Sequence, residues 1–282
     1  MSTPERHLEP EALEHLEENI DHTLGEEYEH EPVPVAARRS MFSVTMVWMG
    51  FPMIITGAMT GSILVLGMGF SQALKAMVIG NLIMLCYVGA LGLLGSRKGT
   101  NFALLASIVF GRKGYVFASG LLSTLLLGWY AVQTGITGAL VSSTYELNYV
   151  VMTVIAGLLY IGITFIGVRG LHLIGTISVP LFVILGLWVA GDAAATTSWA
   201  EIMAYPGNNG AATMSMGVGL TVVIALFIDA GTVTADFNRW AKDDASSLVA
   251  TFSAFPFANL IAMLVGLLFT RYRIRIRRFS HA

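Results

Sequence analysis

Phe227-Ile-Asp-Ala-Gly-Thr-Val-Thr-Ala-Asp-Phe-Asn-Arg-Trp-Ala-Lys242 places an acid and a glycine inside a segment otherwise suited to lipid. The apolar run Val218 to Ile228 leads into Asp229, Ala230, Gly231 and Thr232, and the segment closes on Asp236, Asn238, Arg239 and Lys242. An aspartate near a bilayer centre costs about 2.5 to 3.5 kcal/mol on insertion scales, so it is normally kept for a substrate, ion or proton path. The glycine and threonines beside it weaken the helix where its backbone could become a ligand. The stretch reads as a membrane helix broken around Asp229-Ala230-Gly231.

The remainder of the chain agrees with a membrane setting. With 282 residues, 55% of them hydrophobic and 12% charged, and a mean hydropathy of +0.70, it is a polytopic membrane protein rather than a soluble domain. The formal net charge of −2 hides a segregation, because eleven of the eighteen acids lie in the first 31 residues and five of the sixteen basic residues lie in the last twelve. Cys86 is the single cysteine, so neither a disulfide framework nor a cysteine metal site is available. The acidic N-terminus lacks a basic region followed by an apolar one, and the first spanning helix is expected to direct insertion itself.

Residues 1–37 read as an acidic, solvated cytoplasmic tail with a short amphipathic helix on which Leu13, Leu16, Ile20 and Leu24 share a face. His7, His15, His22 and His30 recur at spacings of seven or eight; metal pairs on a helix usually sit three or four apart, so these read as surface histidines. A hydrocarbon core needs about 20 apolar residues of helix. By that measure residues 38–270 hold seven spans, at roughly 43–66, 72–95, 115–142, 149–168, 173–191, 213–235 and 248–270. Asn101 to Phe110 is apolar but too short, and reads as an interfacial or re-entrant helix.

Lysine and arginine set the orientation. With the N-terminus cytoplasmic, Arg38, Arg39, Arg97, Lys98, Arg112, Lys113, Arg169, Arg239 and Lys242 all fall on the cytoplasmic side, and the opposite loops contain none. Residues 271–282 break this pattern, since a seventh crossing puts the arginines of Arg271-Tyr-Arg-Ile-Arg-Ile-Arg-Arg278 outside. Either the seventh helix is re-entrant, or the native protein continues past Thr270 and this tail comes from a frameshift or truncation. The second is favoured, because alternating Arg-Ile resembles nothing else in the chain.

Three features could carry chemistry. Gly50-Phe-Pro52, followed by Thr56-Gly57 and Thr60-Gly61, marks a break in span one, although Gly57 and Gly61 also have the spacing of a helix-packing motif. Two interrupted segments five spans apart are what an inverted-repeat transporter shows, with its site where unwound backbone meets half-helix ends. In span three, Trp129 and Gln133 share a helix face, where an indole can stack on a planar ring and an amide can bond that ring's edge. The same pair could instead serve helix packing. Asp236 and Arg239, three apart, can pair or cap the end of span six, a structural role preferred here to a gating one. A membrane enzyme finds little support, as there is no His-Glu-x-x-His and no Gly-rich phosphate loop.

The stretch Phe227 to Trp240 resembles the nucleobase:cation symporter-1 family, most closely its cytosine and purine-cytosine permease branch, in its Gly-Thr-x-Thr-x-Asp-Phe-x-Arg pattern followed by an aromatic residue. Gly80-Asn81-Leu82, Leu91-Gly-Leu-Leu-Gly95, Phe110-Gly111 and Gly128-Trp129 extend the likeness over residues 38 to about 270, while Gln133 is closer to the hydantoin, allantoin and uracil branch. The resemblance implies an all-α, polytopic transmembrane bundle, here the first seven helices of a five-plus-five inverted-repeat fold, importing a nucleobase-like heterocycle with Na+ or H+ across the cytoplasmic membrane. It implies that Trp129 stacks on the base and Gln133 bonds its edge. The Asp229-Ala230-Gly231 break would offer backbone groups and a carboxylate, and carbonyls around Thr56 and Gly57 would form half of a cation site. The cytosine branch has a small polar residue where Asp229 stands, so an acid departs from it. The family's eighth helix has no counterpart, and the chain alone is expected not to carry out coupled transport; a non-transporting sensor that keeps the binding half is the alternative. Expected partners are a small heterocycle and membrane lipid, with no nucleic acid and no cofactor besides the coupling ion, and the oligomeric state is open.

Overall fold

The computed structural model describes residues 28–196, 198–208 and 213–279, without the side chains of residues 168, 169, 193, 194, 196, 230 and 271–279. The expected amphipathic helix, with His7, His15 and His22, lies outside the described residues, and the placement of the arginine side chains beyond Thr270 does too. A 3-10 turn at Val35–Ala37 precedes α1 (Met41–Gly50), α2 (Ile55–Lys98), α3 (Phe102–Tyr145), α4 (Tyr149–Thr164) and α5 (Gly167–Thr196). There follow α6 (Trp199–Met203), α7 (Met216–Ala225), α8 (Ile228–Thr232), α9 (Thr234–Asn238), α10 (Asp244–Phe252) and α11 (Asn259–Phe279), the last two joined by a π-helical turn at Ser253–Ala258. Among the described residues the one sheet-like pairing is an isolated bridge between Arg39 and Ala241.

Helix α2 has 44 residues, which at about 1.5 Å per residue is roughly twice the thickness of a hydrocarbon core. It is two limbs, divided at Gly69, whose φ of 75° and ψ of 171° leave the helical region. Asn259 shows that the chain reverses there: its Nδ2 donates to Asn81 Oδ1 at 2.9 Å, and its Oδ1 lies 4.0 Å from where a Cβ on Gly57 would stand. Gly57 and Asn81 are equally far along the chain from Gly69, so the limbs pass the same level in opposite directions. The tip is pinned by backbone bonds, Phe70 N–H to Tyr205 O at 3.0 Å and Thr213 N–H to Gly67 O at 2.8 Å. Gly111, with φ 67°, likewise separates Phe102 to Phe110 from the long limb of α3.

The seven crossings expected from hydropathy correspond to α1 with the first limb of α2, the second limb of α2, the long limb of α3, α4, α5, α7–α9, and α10–α11. By length and apolarity alone, four helical segments among the described residues suffice to cross a membrane: Ile55–Lys98, Phe102–Tyr145, Gly170–Asp192 and Asp244–Thr270. The short segment Asn101 to Phe110 is a separate helical piece, set off from span three at Gly111. Span four ends earlier than expected, at Thr164, and the basic tail continues α11 as helical backbone to Phe279.

The core forms where α1 and both limbs of α2 meet spans six and seven. Trp48, Leu64, Met77, Met84, Val223, Phe255, Met263 and Leu267 are fully buried there. Close approach depends on small residues: a Cβ on Gly61 would overlap Met263 O, and one on Gly266 would overlap Ala58 O. Two helices touching backbone to backbone gain dispersion contact that lipid cannot supply. Gly57 and Gly61 both face α11, which is the packing role their spacing allowed. The outer faces of α3, α4 and α5 instead expose large apolar side chains such as Phe117, Leu127, Leu158, Phe165 and Trp188, as expected of a lipid-facing surface.

Candidate ligand-binding site

Both interrupted spans break beside one cavity. In span one, Pro52 lacks the N–H that would continue α1, and the chain runs through a tight turn, with Met53 N–H donating to Gly50 O and Ile54 N–H to Pro52 O. Ile54 is extended, and α2 then restarts at Ile55. In span six, α7 ends at Ala225, α8 is the single turn Ile228–Thr232 and α9 restarts at Thr234, so the helix is interrupted at Leu226 and Phe227 and again at Val233.

The expectation that Asp229-Ala230-Gly231 is itself the broken point is corrected to the two positions that flank it. These three residues lie within the helical turn α8. Gly231 N–H donates to Phe227 O at 2.6 Å, and Tyr87 OH bonds both Ile228 O, at 3.2 Å, and Thr232 Oγ1, at 2.5 Å. These bonds hold the turn in helical form between the two interruptions.

A cavity of about 400 Å³ lies between spans one, three, five and six. Leu126, Trp129, Tyr130 and Gln133 of α3 line it, the i, i+3, i+4, i+7 face of one helix. Phe51 and Ile54 come from the first break, Phe227 from the second, and Gly175 and Ser178 from α5. The wall is therefore mostly apolar and aromatic, with few polar groups to fix orientation, as ligand cavities commonly are.

The sequence-derived candidates separate. Trp129 and Gln133 are on the wall. Asp229 is behind it, its Oδ2 accepting from Trp129 Nε1 at 2.8 Å. Gly231 faces α2 instead, where a Cβ would meet Val88 and Tyr87; Ala230 contributes described backbone only. Gln133 Nε2 reaches Thr56 Oγ1 at 3.4 Å, while Gln133 Oε1 is buried without a partner. Thr56 is buried, its carbonyl accepting from Thr60 Oγ1 at 2.9 Å, and Gly57 packs against Ala262. Asp236 Oδ2 accepts from Phe102 N–H at 3.0 Å, tying span six to the start of α3, and Arg239 Nη1 donates to Tyr28 O at 2.6 Å.

Two sets of residues escaped sequence reasoning. Phe51, Phe227 and Phe237 line the cavity, yet in apolar spans a phenylalanine is indistinguishable from a lipid-facing one. Asn81 and Asn259 form a buried pair, and the available signal was an amide within each apolar run. Asn81 Nδ2 donates to Met77 O at 2.8 Å, which turns its Oδ1 toward Asn259 and obliges Asn259 to donate. The remaining acceptor, Asn259 Oδ1, is buried without a partner near Gly57.

Residues 32–274 match the family described as permease for cytosine/purines, uracil, thiamine, allantoin. The chain belongs to this permease family. Cytosine permeases of Escherichia coli strains K12 and O157:H7 are each 30% identical over 240 residues, covering 83% of this chain and 56% of theirs. This permease-family chain thus spans about half the length of the curated relatives it matches. Among solved structures it is similar to Mhp1, a nucleobase-cation-symport-1 family transporter, in a closed conformation with bromovinylhydantoin bound (TM-score 0.76, 19% identity, 85% of this chain and 57% of that one). It is also similar to inward-facing Mhp1, at TM-score 0.70 and 18% identity, over 85% of this chain and 55% of that one. At such identity these two likenesses speak for the fold alone, that of a helical membrane transporter.

Proposed function

We propose that the cavity binds a planar nucleobase-like heterocycle such as cytosine, and that it is the binding half of a cation-coupled symport system in the cytoplasmic membrane, with the N-terminus cytoplasmic. The observation carrying this reading is the meeting of Trp129, Gln133 and Phe227 at one cavity between two broken spans. Aromatic walls suit the faces of a flat ring, and the unpartnered Gln133 Oε1 suits an amino or ring N–H on its edge. A buried acceptor left unsatisfied costs about 1–3 kcal/mol, which a ligand N–H would recover.

The coupling ion, Na+ or H+, belongs beside the break in span one. For Na+, the carbonyl oxygens at Thr56 and Gly57 and the unpartnered Asn259 Oδ1 are hard oxygen donors of the right kind. The acidic tail, the transmembrane region over 38–270 and the basic segment 271–282 remain the domain division we favour. Expressed as residues 1–282, the chain is expected to bind ligand without accumulating it. Equilibrium binding and uptake of radiolabelled cytosine, with uracil, adenine and allantoin as competitors, in sodium or choline chloride, test this. Saturable cytosine binding lost in Gln133→Ala supports the reading. No saturable binding of any of the four overturns the ligand assignment, and sodium-dependent accumulation overturns the expectation of binding alone.

A further inference from the structure

A second, smaller chamber of about 190 Å³ adjoins the ligand cavity, and Val47, Leu171 and Phe237 line both. Its character is different. Arg39, Asp236, Arg239 and Trp240 contribute to its walls, and both guanidinium groups lie 5.3 Å from the centre of the Trp240 ring. Trp240 is only 4% exposed, and its Nε1 is a buried donor with no partner. The chamber therefore has charged and hydrogen-bonding walls, with the Trp240 N–H its unpartnered donor, whereas the cavity behind it is mostly apolar.

Of the shared residues, Phe237 is the aromatic one, and its ring is held by neighbours rather than by its own short helix. It stacks on Trp48 with centroids 4.5 Å apart and planes at 23°, and presents an edge to Phe51 at 5.7 Å. Trp48 is fully buried and Phe237 only partly so, which makes Phe237 the member able to move. Val47 and Leu171 belong to the longer helices α1 and α5, whose backbones keep them in place.

We propose that Phe237 is the partition between the ligand cavity and the chamber at the basic end. When its ring leaves Trp48 the two spaces join, and the ligand passes through the chamber with its acceptor-rich edge, carbonyl oxygen or unprotonated ring nitrogen, toward the Trp240 N–H. The passage rests on the ligand reading above; the partition itself does not.

The test uses the whole chain in membrane vesicles, with Cys86→Ser removing the native thiol. One variant carries Ser178→Cys in the cavity and another Ser43→Cys in the chamber. A membrane-impermeant methanethiosulfonate reagent is applied from the side bearing Arg39. Ser43→Cys should label quickly in every background, which also reports a retained fold. Ser178→Cys should label slowly with Phe237 present and about fivefold faster or more with Phe237→Ala, as expected from losing an aromatic stack. Phe237→Trp, which keeps a ring on Trp48, should stay slow, and Phe237→Leu should fall between. Equal Ser178→Cys rates in all four backgrounds would overturn the partition. Cytosine protection of Ser178→Cys bears on the ligand reading: its absence removes that reading and the proposed passage, while a rate that still depends on residue 237 leaves the partition standing.

Discussion

Asp229→Asn offers a quantitative check on how the acid in span six acts. Its Oδ2 accepts from the Trp129 indole N–H at 2.8 Å, whereas the cavity wall is formed by the indole and not by the carboxylate. Hydrogen bonds to charged groups contribute about 1.5–3 kcal/mol and neutral ones about 0.5–1.5 kcal/mol. Replacing the carboxylate by an amide therefore weakens the hold on the indole by about 1 kcal/mol, and cytosine binding should fall about fivefold. The informative measurement is a double-mutant cycle with Trp129→Phe, which keeps a ring but removes the N–H. Once residue 129 cannot donate, Asp229→Asn should change affinity by less than about twofold. Equilibrium binding of radiolabelled cytosine to the four proteins supplies all the terms. An equal loss in both backgrounds would refute the argument, because Asp229 would then be touching the ligand directly.

Three further outcomes follow from packing and charge. Gly61→Ala should destabilise the folded protein by about 1–3 kcal/mol, since its Cβ meets the Met263 carbonyl, whereas Gly89→Ala, with nothing within 4 Å, should be neutral or stabilising; thermal unfolding in detergent compares them, and equal melting points would dispose of the packing account. Asn259→Leu should cost about 1–3 kcal/mol by leaving Asn81 Oδ1 without its donor, and adding Asn81→Leu should restore part of that; strictly additive losses in denaturant unfolding would argue against coupling. Asp244 accepts from Arg97 through both carboxylate oxygens, which holds its carboxyl below the usual range, so its stabilisation is present above the unfolded carboxyl value and is lost as pH falls through the depressed folded one. A melting-point profile over acidic pH should accordingly lose that component in Asp244→Asn, and an unchanged profile would show that the ion pair contributes nothing.

The breaks in spans one and six, the short piece before span three and the shared face of Trp129 and Gln133 were all legible, because each is a local property. Pro52 withholds an N–H wherever it stands, and residues four apart share a helix face regardless of what they face. Less legible was the place of the second break. Gly231 and Thr232 look like weak points, yet Tyr87, far away on α2, bonds both Ile228 and Thr232 and keeps α8 wound. The Asp236–Arg239 spacing suggested a pair or a cap; Arg239 Nε does donate to Asp236 O at 3.3 Å, and each side chain also holds a distant backbone group, Phe102 N–H and Tyr28 O. Short range favours such a pair, but a buried carboxylate and guanidinium also satisfy orphan backbone donors and acceptors, and these come from elsewhere in the chain.

By itself the sequence determined the membrane class, the family likeness and the segments able to break, since hydropathy, proline and glycine act within a few residues. The tertiary structure decided which faces meet: that Trp129 and Asp229, 100 residues apart, share a bond, that Asn81 and Asn259, 178 apart, leave an acceptor near Gly57, and that Phe227 and Phe237 turn toward a cavity rather than lipid. In a bilayer the apolar side chains of a core and of a lipid-facing surface are chemically alike, so only the packing of whole helices distinguishes them.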